Sequence, residues 1–296
     1  MCRPPGAGPV REEDAMTRPV VVGAEGTDSS RPALVWAAHA ARLRNAPLVV
    51  VHAVGYPPLA VDFAYDDALE QAAQAVLTDA EKQVLEAVPD LEARTEVDRQ
   101  SPGRALTSRS ADAQLLVVGT HRMTRTERMF SGSLAYQVAA GAECPVAIVP
   151  ALADDASPRV VVGADGSPDS LAAIRAAAVE ADRTGAELHV VHAWAAPVAY
   201  LEFGYAIGGP DKAVEDSARV VLAESVAGLA EDFPDLPVHR HLLRADPSTA
   251  LLDAARDARL VVVGSRGRQG VARMLLGSVS HAIVLHAPCP VLVVRR

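Results

Sequence analysis

The chain is poor in cysteine, lysine and aromatic residues, and it has no long apolar run. Cys2, Cys144 and Cys289 are an odd, sparse set among 296 residues. That excludes a disulfide framework and points to a reducing, cytoplasmic setting. No stretch of about 18 apolar residues occurs, so nothing reads as a membrane span. The opening MCRPPGAGPVREEDA has no apolar core and does not read as a signal peptide. Of 28 basic residues only Lys82 and Lys212 are lysine, and the formal net charge is −9. This acidic balance gives no footprint for nucleic-acid binding. The heavy use of arginine and alanine reads as a high-GC coding bias rather than a functional device. With 50% hydrophobic and 22% charged residues, the composition is globular.

What is present is a duplication. PVVVGAEGTDSSRPALVWAAHAARLRNAPLVVVHAV, from Pro19, is repeated as PRVVVGADGSPDSLAAIRAAAVEADRTGAELHVVHAW, from Pro158. Gly23 matches Gly163 and His52 matches His192. Further on, LLVVGTHRMTRTERMFSGS aligns with LVVVGSRGRQGVARMLLGS, so that Gly119 matches Gly264, Gly132 matches Gly277 and Cys144 matches Cys289. The unit is too long for a solenoid repeat and reads as a duplicated domain. Domains are expected at 18–150 and 158–296, joined by a linker over 151–157 and preceded by a disordered tail over 1–17. Met16 is a second candidate start.

Short β-branched runs such as 20–23 and 48–54 are too short for buried helices and match strands covered on both faces. Between them, Leu34, Val35, Ala38 and Leu43 recur at helical spacing, with Asp28 or Ser29 as the cap. A second helix is expected over about 67–88, and further strands at LEARTEV, QLLVVG and PVAIVP. The alternation predicts an α/β fold of two tandem, Rossmann-like domains, each with five parallel strands. Ligands of such sheets bind beyond the carboxyl ends of the strands, where the strand order reverses.

Two strand ends carry candidate chemistry. Gly163-Ala164-Asp165-Gly166-Ser167 is mirrored by Gly23-Ala24-Glu25-Gly26-Thr27. The carboxylate there suits sugar hydroxyls, and the segment also reads as a plain turn with a helix cap. After the fourth strand, Gly264-Ser265-Arg266-Gly267 is followed, nine residues on, by Gly277-Ser278. Glycines let backbone amides turn toward an anion, and the helix predicted after Gly277 favours phosphate at its N-terminus. Arg266, Arg268 and Arg273 add positive charge.

These segments, together with CPVLVV at 289–294 and its counterpart CPVAIV, resemble the universal stress protein family over nearly the whole chain from residue 18. The resemblance implies an ATP-binding regulator or sensor of stress or dormancy, using ATP with or without Mg2+. It implies nucleotide contacts from Gly163, Asp165, Val191, Gly264, Ser265, Arg266, Gly267, Arg268, Gly277, Ser278 and Val279. In the first copy the corresponding positions are Gly23, Glu25, Val51, Gly119, Thr120, His121, Arg122, Arg128, Gly132 and Ser133. That copy departs twice: Glu25 replaces Asp, and Arg122 replaces the second motif glycine. If residue 122 needs positive φ, arginine costs about 1–2 kcal/mol there; against this, Arg122, Arg125 and Arg128 supply cations. Both copies are expected to bind ATP, the second more tightly.

No catalytic residue is assigned, because the glycine motif brings neither a P-loop lysine nor a metal-holding acid. The alternatives are a slow ATPase or autophosphorylating enzyme and, on a similar sheet, a flavin-binding electron carrier. An unidentified regulatory protein is the expected macromolecular partner. His52 and His192 read as structural or pocket-lining, not metal ligands, and Cys144 and Cys289 as small buried thiols. Tyr56, Phe63 and Tyr65, with Trp194, Tyr200, Phe203 and Tyr205, cover an adenine ring or pack the two copies together. The apolar ends PVAIVP and PVLVV are edge strands, which proteins usually cover. They are expected to pair the two copies as a pseudo-dimer, and a dimer of whole chains is compatible with this.

Overall fold

Short valine-rich runs form the inner strands, and alanine-rich helices pack close against them. The computed structural model describes residues 18–27, 30–55, 63–120, 128–150, 157–194, 210–267 and 276–296. The chain divides into two compact units between Val117 and Val118.

The first unit contains β1 (Val20–Gly23), α1 (Arg31–Leu43), β2 (Leu48–Ala53), α2 (Phe63–Ala87), β3 (Ala93–Asp98) and α3 (Pro102–Arg109). It also holds the start of β4 (Leu115–Thr120). Its strands are parallel in the order β3-β2-β1-β4, with Val21 paired to Val49 and to Leu116. In α1 the buried face is Ala33, Leu34, Ala37, Ala38, Ala40 and Ala41. Small side chains there let the helix axis lie close to the sheet. The cap of α1 is Ser30, without a side-chain cap hydrogen bond; the caps expected at Asp28 or Ser29 lie outside the described residues.

The second unit holds α4 (Arg128–Gly141), β5 (Val146–Pro150), β6 (Arg159–Gly163), α5 (Pro168–Thr184), β7 (Glu187–Trp194), α6 (Pro210–Ser225) and α7 (Leu229–Asp232). It continues through β8 (Val238–Arg244), α8 (Pro247–Ala254), β9 (Leu260–Gly264), α9 (Ser278–His286) and β10 (Val291–Val294). The five strands of the second repeat are parallel in the order β8-β7-β6-β9-β10. Strand order therefore reverses between β6 and β9.

The two apolar edges do pair. β10 runs antiparallel to β5, with Val291 opposite Ile148, Leu292 opposite Ala147 and Val293 opposite Val146. Every residue of both strands is buried, and full burial of a side chain such as Ile148 or Leu292 stabilises by about 1.5–3 kcal/mol. Edges that alone would invite aggregation are consumed by each other.

Candidate functional site

The turn after β6 is set by its own polar groups. Asp165 Oδ1 accepts from the Ser167 amide at 2.9 Å. Gly166 sits at φ 76, as does its counterpart Gly26, a backbone region that side chains with a Cβ rarely enter. Ser167 then caps α5, its hydroxyl accepting from the Ser170 amide at 3.2 Å. The turn-and-cap reading is thus what the backbone does here, and Asp165 still faces a cavity.

The segment after β9 is held from behind by a residue the sequence reading missed. Asp169, buried in the first turn of α5, accepts from the Ser265 hydroxyl at 3.0 Å and from the Arg266 amide at 3.1 Å. The Arg266 guanidinium lies 3.4 Å from the same carboxylate. Ser265 is fully buried; its amide donates to the Val294 carbonyl and its carbonyl accepts from the Gly277 amide, both at 2.8 Å. That last bond ties the start of α9 to the end of β9. The Ser280 hydroxyl, one turn further on, donates to the Gly264 carbonyl.

Between these elements lies a cavity of about 540 Å³, lined by Gly163, Asp165, Val191, Gly264, Arg266, Gly267, Gly277, Ser278 and Val279. Nine of the eleven candidates of the second repeat therefore converge. Ser265 does not line it, since its polar groups are turned inward as described. Arg268 lies outside the described residues, as does Arg273. The remaining wall includes Ala164, Ser170, Ala193, Pro247, Leu251, Val263 and Ser280, none singled out by the sequence. Pro247 and Leu251 come from α8, whose Asp246-Pro247 start was the available signal.

The cavity lining combines the polar Asp165, Ser170, Arg266, Ser278 and Ser280 with apolar side chains such as Val191, Leu251 and Val263. Gly267 is close-fitted: a Cβ there would stand 2.6 Å from Asp165 Oδ2. Gly277 is different, with φ −70 and its nearest neighbour 3.6 Å from a built Cβ. The protein itself has room for a side chain at 277, so glycine there leaves space on the cavity side. Beside it, α9 begins at Ser278, and the unpaired amides of its first turn meet the cavity wall.

The candidates of the first repeat are distributed over the two units. Gly23 ends β1 opposite Val51 on β2, and Glu25 follows in the turn. Gly119 and Thr120 end β4. His121, Arg122 and Arg125 lie outside the described residues. Helix α4 is described from Arg128, so Gly132 and Ser133 fall inside it rather than at its first residue. Of the clustered aromatics only Trp194 has a described side chain, with Arg244 lying 5.3 Å from its ring centre.

The two matched histidines support turns. His192 Nδ1 lies 2.6 Å from the Ala164 carbonyl and His52 Nδ1 lies 2.7 Å from the Ala24 carbonyl. A carbonyl only accepts, so each Nδ1 carries a proton. Cys144 and Cys289 are both buried, and burial pushes the Cys289 thiol up to about 12. A thiol so protonated has no nucleophilic role at neutral pH.

A duplicated parallel α/β protein with a cavity at the strand-order reversal is the class that fold and site define. The profile of the universal stress protein family matches residues 16–150 and again 157–295. A universal stress protein of Mycolicibacterium smegmatis (strain ATCC 700084 / mc(2)155) is 35% identical over 291 residues, covering 93% of this chain and 96% of its own. A universal stress protein of Mycobacterium tuberculosis (strain ATCC 25618 / H37Rv) is 36% identical over 290 residues, covering 94% and 97%. The crystal structure of a universal stress protein from Archaeoglobus fulgidus DSM 4304 aligns over 96% of this chain and 98% of its own, at 21% identity and a TM-score of 0.68, a likeness of fold alone. The chain belongs to the universal stress protein family. Among the described residues, no helix is long and apolar enough to cross a membrane.

Proposed function

We propose that the protein is a nucleotide-dependent regulator whose second repeat binds ATP in the cavity between β6 and β9. The observation that carries this reading is the meeting of Asp165, the Gly264–Gly267 turn and the first turn of α9 around one cavity of about 540 Å³. That volume lies within the usual range of about 300–1,000 Å³ for small-molecule sites. Gly277, which the fold does not itself require, leaves the space that a phosphate needs to approach the amides of α9. Val191 and Ala193 offer an apolar seat for a base, and Asp165 an acceptor for ribose hydroxyls. Arg266 adds a cation at the rim, partly offset by Asp169. Mg2+, where it accompanies ATP, is held chiefly by the phosphates and water.

The reading favours a binding protein over an enzyme. The described wall offers Asp165 as its carboxylate and no lysine, whereas efficient phosphoryl transfer wants both a metal-holding acid and an oriented nucleophile. A conformation stabilised by bound ATP and read by a partner protein is the expected output. Calorimetry on the nucleotide-stripped chain, with Mg2+, is expected to show ATP binding that the Asp165→Ala variant weakens about tenfold. No heat with adenosine phosphates at millimolar concentration overturns the proposal, and turnover of about 1–10³ per second would make the protein an enzyme instead.

A further inference from the structure

On β7 and β8, away from the glycine motif, three histidines and a glutamate are gathered at the edge of the sheet. His189 Nε2 stands 3.3 Å from Glu187 Oε2, and His239 Nε2 stands 3.5 Å from the same oxygen. Ligand atoms of all three residues lie within 4.8 Å of one another. On the far side of His189, its Nδ1 is 3.0 Å from His241 Nε2. From these positions we propose a divalent transition-metal site, of zinc type, with Glu187, His189 and His239 as ligands and His241 as the residue that orients His189.

The geometry suits such an ion with little movement. A tetrahedral metal about 2.0–2.1 Å from each donor sets neighbouring donors roughly 3.4 Å apart; the two separations from Glu187 Oε2 bracket that value, and the ligand atoms of the two imidazoles lie within 4.8 Å of each other. Two imidazoles and a carboxylate form a borderline donor set that selects zinc and its neighbours over Mg2+ or Ca2+. A ligating histidine normally hydrogen-bonds through its other ring nitrogen, which fixes ring orientation and tautomer; His241 supplies that partner.

The fold does not ask for these residues. By the repeat offset, Glu187 and His189 correspond to Pro47 and Val49, and Val49 pairs with Arg94 as His189 pairs with His239. The next pair on that face, Val191 with His241, corresponds to Val51 with Glu96. On this face, the same two-stranded edge is therefore built in the first repeat with no histidine at the matching positions. Arg159, opposite Glu187 in the register, is the opposing charge; Asp257, 3.9 Å away, offsets it. The ion would clamp β8 to β7, and because alternate residues share a face, it would sit on the same side of the sheet as Val191 of the cavity.

The test uses the full chain, stripped of nucleotide and metal, titrated with zinc chloride alone. Calorimetry is expected to give one zinc per chain, with Mg2+ failing to compete. His239→Ala and Glu187→Gln are each expected to weaken zinc at least tenfold, His241→Gln by about tenfold, and His286→Ala, at the exposed end of α9, not at all. His239 is exposed, so its alanine variant should keep the metal-free melting temperature and separate ligation from folding. Absence of binding up to millimolar zinc overturns the proposal, and so does binding that His239→Ala and Glu187→Gln leave unchanged. Neither result bears on ATP, which the titration omits.

Discussion

At the scale of the residue, two carboxylates four positions apart divide the work of the second repeat. Asp165 lines the cavity. Asp169 is buried and holds the Ser265 hydroxyl and the Arg266 amide, 96 and 97 positions further along the chain. Its removal strands the buried Ser265 hydroxyl and unpairs the half-buried Arg266 amide, and hydrogen bonds to charged groups contribute about 1.5–3 kcal/mol each. Asp169→Ala is therefore expected to cost about 2–3 kcal/mol, read as a lower urea midpoint. Asp165→Ala, which forfeits the hydrogen bond from the Ser167 amide, should lower that midpoint less than Asp169→Ala while weakening ATP. A normal midpoint for Asp169→Ala would show that the segment after β9 is held some other way. The pair also marks what sequence discloses. Asp165 was legible because its meaning is local, a carboxylate at a strand end followed by Gly166. Asp169 was not, because its partners lie across the sheet and its own neighbours say only that a helix begins.

Elements tell a similar story. The valine runs of β1 and β2 were read to within a residue, since a strand covered on both faces has few alternatives. β3 begins at Ala93, not Leu91, because the Leu91 amide turns back to the Val88 carbonyl. α3 and α8 escaped notice: at eight residues each they are too short to show a period. Their starts at Ser101-Pro102 and Asp246-Pro247 were the usable sign. α3 is fastened to β3 by charge. Arg109 reaches Glu96 at 2.9 Å and makes an ion pair with Asp98, which also accepts from the Gln100 amide at 2.7 Å. Burial pushes the Asp98 carboxyl up, but the Arg109 hydrogen bond and charge and the Gln100 amide outweigh it, so its pKa falls below the usual 3.8. A depressed carboxylate contributes stability that is complete above the unfolded value and is lost as pH falls through the folded one. Asp98→Asn should therefore cost about 1.5–3 kcal/mol at pH 7, with the gap between variant and parent closing as pH drops below about 4. A gap of constant size down to pH 2 would assign the loss to shape rather than charge.

For the whole molecule, duplication has produced two repeats that are alike in strand order and unlike at the candidate site. In the second, α9 starts at Ser278, directly after Gly277. In the first, the chain is already helical at Arg128, the first described residue of α4, which places Gly132 and Ser133 at least a turn inside the helix. Amides that far into a helix are already paired within it, because only the first four N–H groups lack an intrahelical acceptor. Glu25 and Arg122 depart from the motif in the same repeat. The resemblance between repeats was plain in the sequence, and Arg122 already hinted at the imbalance. The depth of Gly132 and Ser133 within their helix was not legible, because it depends on where backbone bonding runs rather than on which residues are aligned. ATP affinity should accordingly be set by the second repeat. Gly277→Leu fills the space beside α9 and is expected to weaken the tighter site at least tenfold. Gly132→Leu places a good helix former inside a helix and should leave that site untouched. Titration of both variants decides the ranking, and a loss from Gly132→Leu as large as that from Gly277→Leu would reverse it. Zinc binding measured on the same two variants should be unaltered, since Glu187, His189 and His239 touch neither glycine.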